Sequence, residues 1–302
     1  MLRYTLRQME YFVTAAECGS VAGAADRHNV SQPSVSVAIA KLEAQFGVQL
    51  LIRHHAQGVT LTPLGQRLLA DARDLLRQAE DLQQHVRAAG EAVGGALALG
   101  CYVTIAPLFM PAIITAFRAA YPAVDIRLHE GIQDELVAGL AAGRFDMALL
   151  YDINLPAEIE TEELRAYPPY VLLPEGHRLL RRAEIRLADL AAEPFILLDV
   201  PPSRDYFTGL FEEAGLTPNI VFASPSFEMV RGLVGRKQGF SLLVTRPHGS
   251  RTYDGQRLVT RPLADDVRTS PICLARLSRT RPTKLMEAFG AFCGEWFVEQ
   301  FM

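Results

Sequence analysis

One candidate binding surface of this chain combines small hydrogen-bonding side chains with two cations. Amide and hydroxyl groups near the start of a helix read base edges in the major groove of DNA, whereas cations contact phosphates. This pattern predicts a nucleic-acid contact surface made by Ser31, Gln32, Pro33, Ser34, Ser36, Lys41 and Arg53. The alternative is an ordinary solvated helix in a three-helix bundle, but the outer face of such a helix normally carries more Glu and Lys.

A second candidate surface consists of polar residues at predicted helix starts in the C-terminal two thirds of the chain. Helix N-termini attract anions, and an arginine fork binds carboxylate or phosphate. We therefore predict a site for a small polar molecule, an organic acid, at Thr104, Gln133, Ser203, Arg204 and Phe227. Each polar residue is alternatively only a helix cap, and Arg204 alternatively forms a surface ion pair with Asp205 or Glu212.

Catalytic and metal-binding patterns are missing from the sequence. It contains no G-x-S-x-G elbow, Walker loop, G-x-G-x-x-G fingerprint or H-E-x-x-H motif. Adjacent His54 and His55 cannot face one metal together, so we interpret them as loop residues near phosphate. No two cysteines form a C-x-x-C pair, and we expect buried free thiols at Cys18, Cys273 and Cys293, with Cys101 as the fourth cysteine. The sequence thus predicts a protein that is not an enzyme and holds no metal or cofactor.

Composition limits the class of protein. The chain has 302 residues, of which 49% are hydrophobic, enough for two or three domains with cores. The net charge is −4, yet residues 1–62 hold five Lys and Arg against four Asp and Glu. This asymmetry is small and fits a DNA-binding head on an acidic body. With no signal sequence and no uncharged run of about 20 residues, we expect a soluble cytoplasmic protein without a membrane span.

The first sixty residues contain the capping signals of three successive helices, which we call the head. Thr5 and Gln8 have capping-box spacing, and Ser20 and Ser31 are predicted to cap two further helices. Two short strands, around residues 47–53 and 59–62, flank a turn. We predict a winged helix-turn-helix.

A long linker helix is predicted from Pro63 to Gly90. Its apolar residues repeat at alternating spacings of four and three, which is typical of two helices pairing side by side. The stripe comprises Leu68, Ala72, Leu75, Ala79, Leu82 and Val86, and we predict dimerisation through Leu68, Leu75, Leu82 and Val86. Alternatively, the helix packs on its own domain, but its charged back face favours pairing between subunits.

Beyond a predicted hinge at Gly90 and Gly94–Gly95, apolar strands alternate with amphipathic helices. This alternation predicts an α/β sensor domain with a mostly parallel sheet and a cleft between two subdomains. The overall fold class is therefore α/β, with an all-α winged helix-turn-helix at the N-terminus. The predicted domains are 1–62 (head), 63–94 (linker and hinge) and 95–302 (sensor), with subdomain I at about 95–165 plus 266–302 and subdomain II at about 166–265.

Several fragments of the head together resemble the LysR-type transcriptional regulators. Each fragment is weak alone, but their order and spacing are specific. They are Gly19-Ser20-Val21-Ala22-Gly23-Ala24-Ala25, Val30-Ser31-Gln32-Pro33-Ser34-Val35-Ser36, Lys41-Leu42-Glu43, Leu50-Leu51-Ile52-Arg53 and Val59-Thr60-Leu61-Thr62-Pro63-Leu64-Gly65. Segments of the C-terminal part, such as Glu228-Met229-Val230-Arg231, look like the sensor domain of the same family, which resembles periplasmic binding proteins.

The resemblance implies a sequence-specific DNA-binding regulator controlled by a small-molecule effector. It also implies pairing of subunits through the linker helix, a homotetramer built from two dimers, and RNA polymerase as a further partner. The chain departs from the family at Val37, where members commonly carry arginine, and at Ala40, where they often carry a basic residue. This departure changes the expected base preference. A solute-binding transport protein would explain residues 96–302 but would leave the first ninety unexplained.

Overall fold

The protein is described from a computed structural model, which describes residues 4–54, 58–87 and 93–299. Within those ranges, no helix combines the length and the hydropathy needed to span a bilayer. The predicted hinge residue Gly90 lies outside the described residues, as does His55.

The head is a three-helix bundle with a two-stranded wing. Thr5, Ser20 and Ser31 cap its helices as predicted, because each side chain accepts a hydrogen bond from a backbone N–H in the first turn. Val35 and Ile39 are fully buried in the core that the helices share. The elements are α1 (Leu6–Cys18), α2 (Val21–Arg27), α3 (Gln32–Phe46), β1 (Leu51–His54) and β2 (Gly58–Leu61).

The linker helix α4 (Pro63–Arg87) uses part of its apolar stripe within its own chain. Ala72 is buried in the head core, and Leu68 packs against the same core. Leu75 is half-buried outside the head core, and Leu82 is 66% exposed. The side chain of Val86 lies outside the described residues. The stripe is therefore divided, since its N-terminal half packs on the head, whereas Leu82 in its C-terminal half is exposed.

The sensor domain contains two groups of strands with helices packed on them. In chain order its elements are β3 (Gly95–Tyr102), α5 (Ala106–Ala120), β4 (Val124–Gly131), α6 (Gln133–Ala141), β5 (Met147–Tyr151), β6 (Ile159–Tyr167), β7 (Tyr170–Pro174), α7 (Leu187–Leu190), β8 (Pro194–Leu198), α8 (Ser203–Glu213), β9 (Asn219–Ser224), α9 (Phe227–Gly235), β10 (Ser241–Leu243), β11 (Leu258–Pro262), β12 (Ser270–Leu277) and α10 (Lys284–Glu299).

Subdomain I is built on a five-stranded sheet of order β4-β3-β5-β12-β6. Subdomain II holds the antiparallel sheet β10-β7-β11 and the parallel pair β8-β9. The chain leaves subdomain I after β6 and returns through β12, so subdomain I contains strands from two separate parts of the sequence, whereas the strands of subdomain II are consecutive. The α/β fold class and the two-subdomain architecture are confirmed, whereas the domain boundaries at single residues stay predictions.

The expectation of a mostly parallel sheet is wrong. Among the strands that the structure describes, only β3–β4, β3–β5 and β8–β9 pair in parallel, while β12 runs antiparallel to both β5 and β6. Two strands pair in parallel when a crossover, usually a helix, joins them. The strands β6 and β12, which carry the chain between the subdomains, have no such helical crossover. Strand β6 itself was not predicted, because its charged residues, such as Glu160 and Glu162, are uncommon in strands. They suit the exposed edge that β6 forms.

Candidate functional sites

The recognition helix α3 starts on an exposed, hydrogen-bonded turn. Ser31 Oγ accepts a hydrogen bond from the backbone N–H of Ser34 at 3.3 Å and lies 2.7 Å from Ser34 Oγ. Ser31 therefore serves as the cap, and its hydroxyl is already engaged. Gln32, Pro33 and Lys41 are exposed on the same helix.

A groove of about 380 Å³ separates α3 from the wing. Across it, Arg53 on β1 donates a hydrogen bond from Nη1 to Ser36 Oγ at 2.9 Å. The structure thus brings together three of the predicted contact residues, Gln32, Ser36 and Arg53, in one groove. His54 also lines the groove and pairs with the Thr60 hydroxyl at 2.8 Å.

The wing is attached to the end of α1 by a close backbone contact. Gly58 has a φ of +91°, and a Cβ there would lie 2.2 Å from the carbonyl oxygen of Gly19. The backbone N–H of Val59 donates to that same oxygen at 2.8 Å. Only glycine fits at position 58, and this contact holds the wing against the end of α1.

The second site is a narrow cleft between the two subdomains, with a free volume of only about 10 Å³. Three of the predicted effector residues, Thr104, Ser203 and Phe227, line it together. Thr104 Oγ1 lies 3.3 Å from the hydroxyl of Tyr151, so Thr104 does not cap α5 as the alternative interpretation expected. Polar groups from both subdomains therefore converge on this cleft.

Gln133 and Arg204 lie outside the lining. Gln133 is buried behind Ile153, which lines the cleft, and its Nε2 donates to the Ile153 carbonyl oxygen at 2.6 Å. Its Oε1 is buried without a hydrogen-bond partner among the described residues. Arg204 is exposed and forms a salt bridge with Asp199, so the ion-pair interpretation fits it, with a partner other than Asp205 or Glu212.

Sequence reasoning missed several polar groups that line the cleft or contact its lining. The hydroxyl of Tyr102 lies 3.2 Å from Ser203 Oγ and 3.1 Å from the Pro201 carbonyl oxygen. Thr245 donates to the Thr104 carbonyl oxygen at 3.4 Å. Tyr102 and Thr245 end β3 or follow β10, and ligands bind at the carboxyl ends of strands in α/β sheets, which was the available signal.

The chemistry of the cleft is that of neutral hydroxyl groups. Burial raises the pKa of Tyr151 to about 12, and burial also raises the pKa of Tyr102. Both phenols therefore stay protonated near neutral pH and are able to donate hydrogen bonds. The described residues that line the cleft include no Lys, Arg, Asp or Glu, while the aromatic rings of Tyr206, Phe207 and Phe227 form its apolar wall.

Helix α6 connects this cleft with the linker helix. Its first residue is Gln133, and the carbonyl oxygen just after its last turn, at Ala142, accepts a hydrogen bond from Arg73 on α4 at 2.9 Å. Arg73 also forms an ion pair with Glu17 of α1 at 3.0 Å. One arginine thus joins the sensor, the linker and the head.

A second arginine strengthens the same junction. Arg77 Nη1 donates to the Gly143 carbonyl oxygen at 3.0 Å, and its Nε lies 3.1 Å from Oδ1 of the buried Asp146. The other carboxylate oxygen of Asp146 accepts the backbone N–H of Ala98 at 2.7 Å. Burial raises the pKa of Asp146, against the opposing effect of Arg77. The charged back face of α4 is therefore partly buried against the sensor of the same chain.

The thiols of the sensor domain are unreactive because they are buried. Cys101, Cys273 and Cys293 are buried, and burial raises the pKa of each, to about 12 for Cys273. Cys18 is exposed at the end of α1, so its expected burial is wrong. Among the described residues, no group of His, Cys, Asp and Glu is arranged to hold a metal ion.

Comparison with known families matches both halves of this architecture. Residues 6–66 match the "Bacterial regulatory helix-turn-helix protein, lysR family", and residues 90–298 match the "LysR substrate binding domain". These two matches cover the head and the sensor, respectively.

Relatives span nearly the whole chain. The crystal structure of HinK, a LysR family transcriptional regulator from Pseudomonas aeruginosa, is 50% identical, with 97% of this chain and 99% of that chain covered and a TM-score of 0.67. A hydrogen peroxide-inducible genes activator from Dickeya chrysanthemi is 32% identical over 79% of this chain and 78% of its own length. Full-length CbnR complexed with its target DNA is 25% identical, with 97% and 99% covered and a TM-score of 0.57.

These matches confirm the resemblance that the head motifs indicated. The family consists of transcriptional regulators and not of enzymes, which also confirms the prediction on catalysis. One polypeptide thus combines a winged head, whose helices are capped, with a two-subdomain sensor and its hydroxyl-lined cleft. This chain belongs to the LysR family of DNA-binding transcriptional regulators with an effector-binding domain.

Proposed function

We propose that this regulator responds to a small organic acid bound in the cleft between the sensor subdomains. The observation that carries the proposal is the convergence of hydroxyl groups from both subdomains, at Thr104, Tyr151 and Ser203, on one cleft. The free space of about 10 Å³ is smaller than a usual ligand pocket, so the subdomains must move apart to admit a ligand. The start of α8 lies at this cleft. Helix N-termini and hydroxyl donors hold a carboxylate without a charged side chain.

The buried amide of Gln133 supports the same proposal. Its Oε1 lies beside the cleft wall with no hydrogen-bond partner among the described residues, and a buried polar atom without a partner lowers the stability of the fold. A ligand that reaches past Ile153 relieves this cost. Arg204 has no part in the proposed site, since Asp199 already engages it at the surface.

The link from ligand to DNA is proposed to run through α6. A rod of nine residues, about 13 Å long, joins Gln133 beside the cleft to the carbonyl groups that Arg73 and Arg77 hold on α4. Closure of the cleft shifts α6 relative to α4. Because Arg73 also pairs with Glu17 of the head, that shift changes how the head is presented to DNA.

For DNA itself, we propose that α3 enters the major groove and that Gln32 and Ser34 contact base edges. Arg53 and Lys41 contact phosphates on either side, and Ser36 orients Arg53. All except Ser36 are exposed, as such contacts require.

Assembly is proposed to be a homotetramer, a dimer of dimers that also contacts RNA polymerase. Leu75 and the exposed Leu82 pair two linker helices. The edge strand β9 presents Ile220, Val221 and Phe222, each at least 42% exposed, for contact between sensor domains.

In sedimentation, Leu82→Asp with Leu75→Asp should break the linker pair and Phe222→Asp should stop assembly at dimers. An unmutated chain that sediments as a monomer contradicts this assembly.

A thermal-shift screen of organic acids tests the ligand proposal. An acid that raises the Tm of the wild type should raise that of Thr104→Val less, and it should alter the gel shift of the DNA upstream of the chain's own gene. An acid that stabilises both proteins equally places the binding site elsewhere.

A further inference from the structure

Val37 is an exposed apolar residue in the middle of the recognition helix. Its side chain is 53% exposed, whereas its neighbours Val35 and Ile39 are fully buried in the head core. It does not belong to that core and does not line the groove between α3 and the wing. The fold therefore gives no reason for a branched apolar side chain at this position.

The surroundings of Val37 indicate what covers it. On a helix, residues three and four positions apart share a face, so Val37 lies in line with Pro33, Ser34, Ala40 and Lys41. Pro33, Ala40 and Lys41 are all exposed. This face consists of small or apolar side chains with one hydroxyl, at Ser34, and it ends in a cation, which suits close approach to a polyanion more than contact with an acidic protein surface.

We infer that Val37 reads thymine, by packing on the C5-methyl group of that base in the major groove. The inference rests on the proposed placement of α3 in that groove. Among the four bases, thymine alone presents an apolar group on its major-groove edge. Valine offers no hydrogen-bond donor, so a guanine opposite it leaves its O6 and N7 acceptors unpaired and loses affinity.

Two features make the contact specific. Ala40, one turn farther along the same face, is too short to hold the helix away from the bases. Gln32 lies at the start of the helix, where its amide reads a neighbouring base pair by hydrogen bonds. Val37 thus sets one position of each half-site, and the remaining contacts set others.

The test begins with selection of sites by the full-length protein from DNA duplexes with randomised positions. Each thymine of the enriched site is then replaced singly by deoxyuridine, which removes only the methyl group. One such replacement per half-site should weaken binding about fourfold, the value of one buried methyl group. In Val37→Ala, the same replacement should have no effect, and the affinity for the thymine site should fall by a similar factor.

Leu6→Ala is the matched control, because Leu6 is also an exposed apolar residue of the head but lies at the start of α1. This variant should keep the full penalty for deoxyuridine. The inference is overturned if the enriched site has no thymine whose replacement costs affinity, or if Val37→Ala retains the penalty. Selection that enriches no sequence at all contradicts the placement of α3 as well, so the two failures are distinguishable.

Discussion

The recognition surface and the sensor cleft are both rich in hydroxyl groups, but those groups face opposite environments. In the head, Ser31 and Ser34 are exposed and bond to each other across a single helical turn. In the cleft, the buried Tyr102 hydroxyl bonds to Ser203, which is 101 positions away in sequence. The first surface is complete once one helix and one wing have formed, whereas the second exists only when both subdomains are assembled.

This difference predicts different responses to mutation. An exposed surface that binds a polyanion depends on charge and salt, since water already solvates its polar groups. A buried, neutral cleft depends on each hydroxyl having a partner, because burial makes an unpaired group costly. Electrostatic changes should therefore dominate in the head, and changes of single hydroxyls should dominate in the cleft.

The largest effect is expected for Arg53→Ala. Loss of a charge-assisted phosphate contact should weaken DNA binding roughly 10- to 100-fold, and the slope of log K against log salt should fall by about one. Titration of the variant at two salt concentrations measures both quantities. Arg127→Ala is the control, because Arg127 is exposed on the sensor and pairs with Asp125. Unchanged affinity and slope in Arg53→Ala would remove Arg53 from the interface.

In the cleft, Thr104→Val should weaken binding of the organic acid about tenfold, since it removes a hydroxyl at nearly constant volume. Arg204→Ala should leave ligand affinity unchanged, because Arg204 faces solvent beside Asp199. Calorimetric titration of both variants distinguishes the two residues. A large loss of ligand affinity in Arg204→Ala, with none in Thr104→Val, would show that the sensor binds its ligand through charge and not through hydroxyl groups.

The junction between the two regions should show a smaller effect. Arg73→Met removes the hydrogen bond to Ala142 and the ion pair with Glu17, while it retains much of the side chain's volume. Binding of the acid and of DNA should each persist, but the effect of one on the other should fall about fivefold, within the usual range of coupling free energies. DNA titrations with and without the acid measure this, with Arg127→Met as control. Full coupling in Arg73→Met would show that the signal takes another route.

The smallest effect is expected for hydrogen peroxide. One relative is a hydrogen peroxide-inducible genes activator, yet the cysteines of this sensor are buried and burial raises their pKa values. Thiol oxidation requires an accessible thiolate. Peroxide should therefore leave DNA binding by Cys18→Ser unchanged, a variant that removes the exposed thiol of the head. A peroxide-dependent gel shift of that variant would contradict this expectation.

The sequence predicted the helices of the head well because their signals are local. Thr5 with Gln8, Ser20 and Ser31 cap helices within three or four residues of chain. The linker stripe was predicted less well. Periodicity marks an apolar face, but it does not say whether the head or a second subunit covers that face, and Ala72 proved to lie in the head core.

The residue types and their spacing alone determined the head, the family and the position of three cleft residues, because hydrogen bonds between near neighbours and apolar periodicity are encoded in short stretches of chain. Only the tertiary structure decided that Tyr102 meets Ser203, that Arg204 turns to Asp199, and that the linker arginines reach the end of α6. Such contacts join elements far apart in sequence, and their energies depend on burial, which arises only when the subdomains pack.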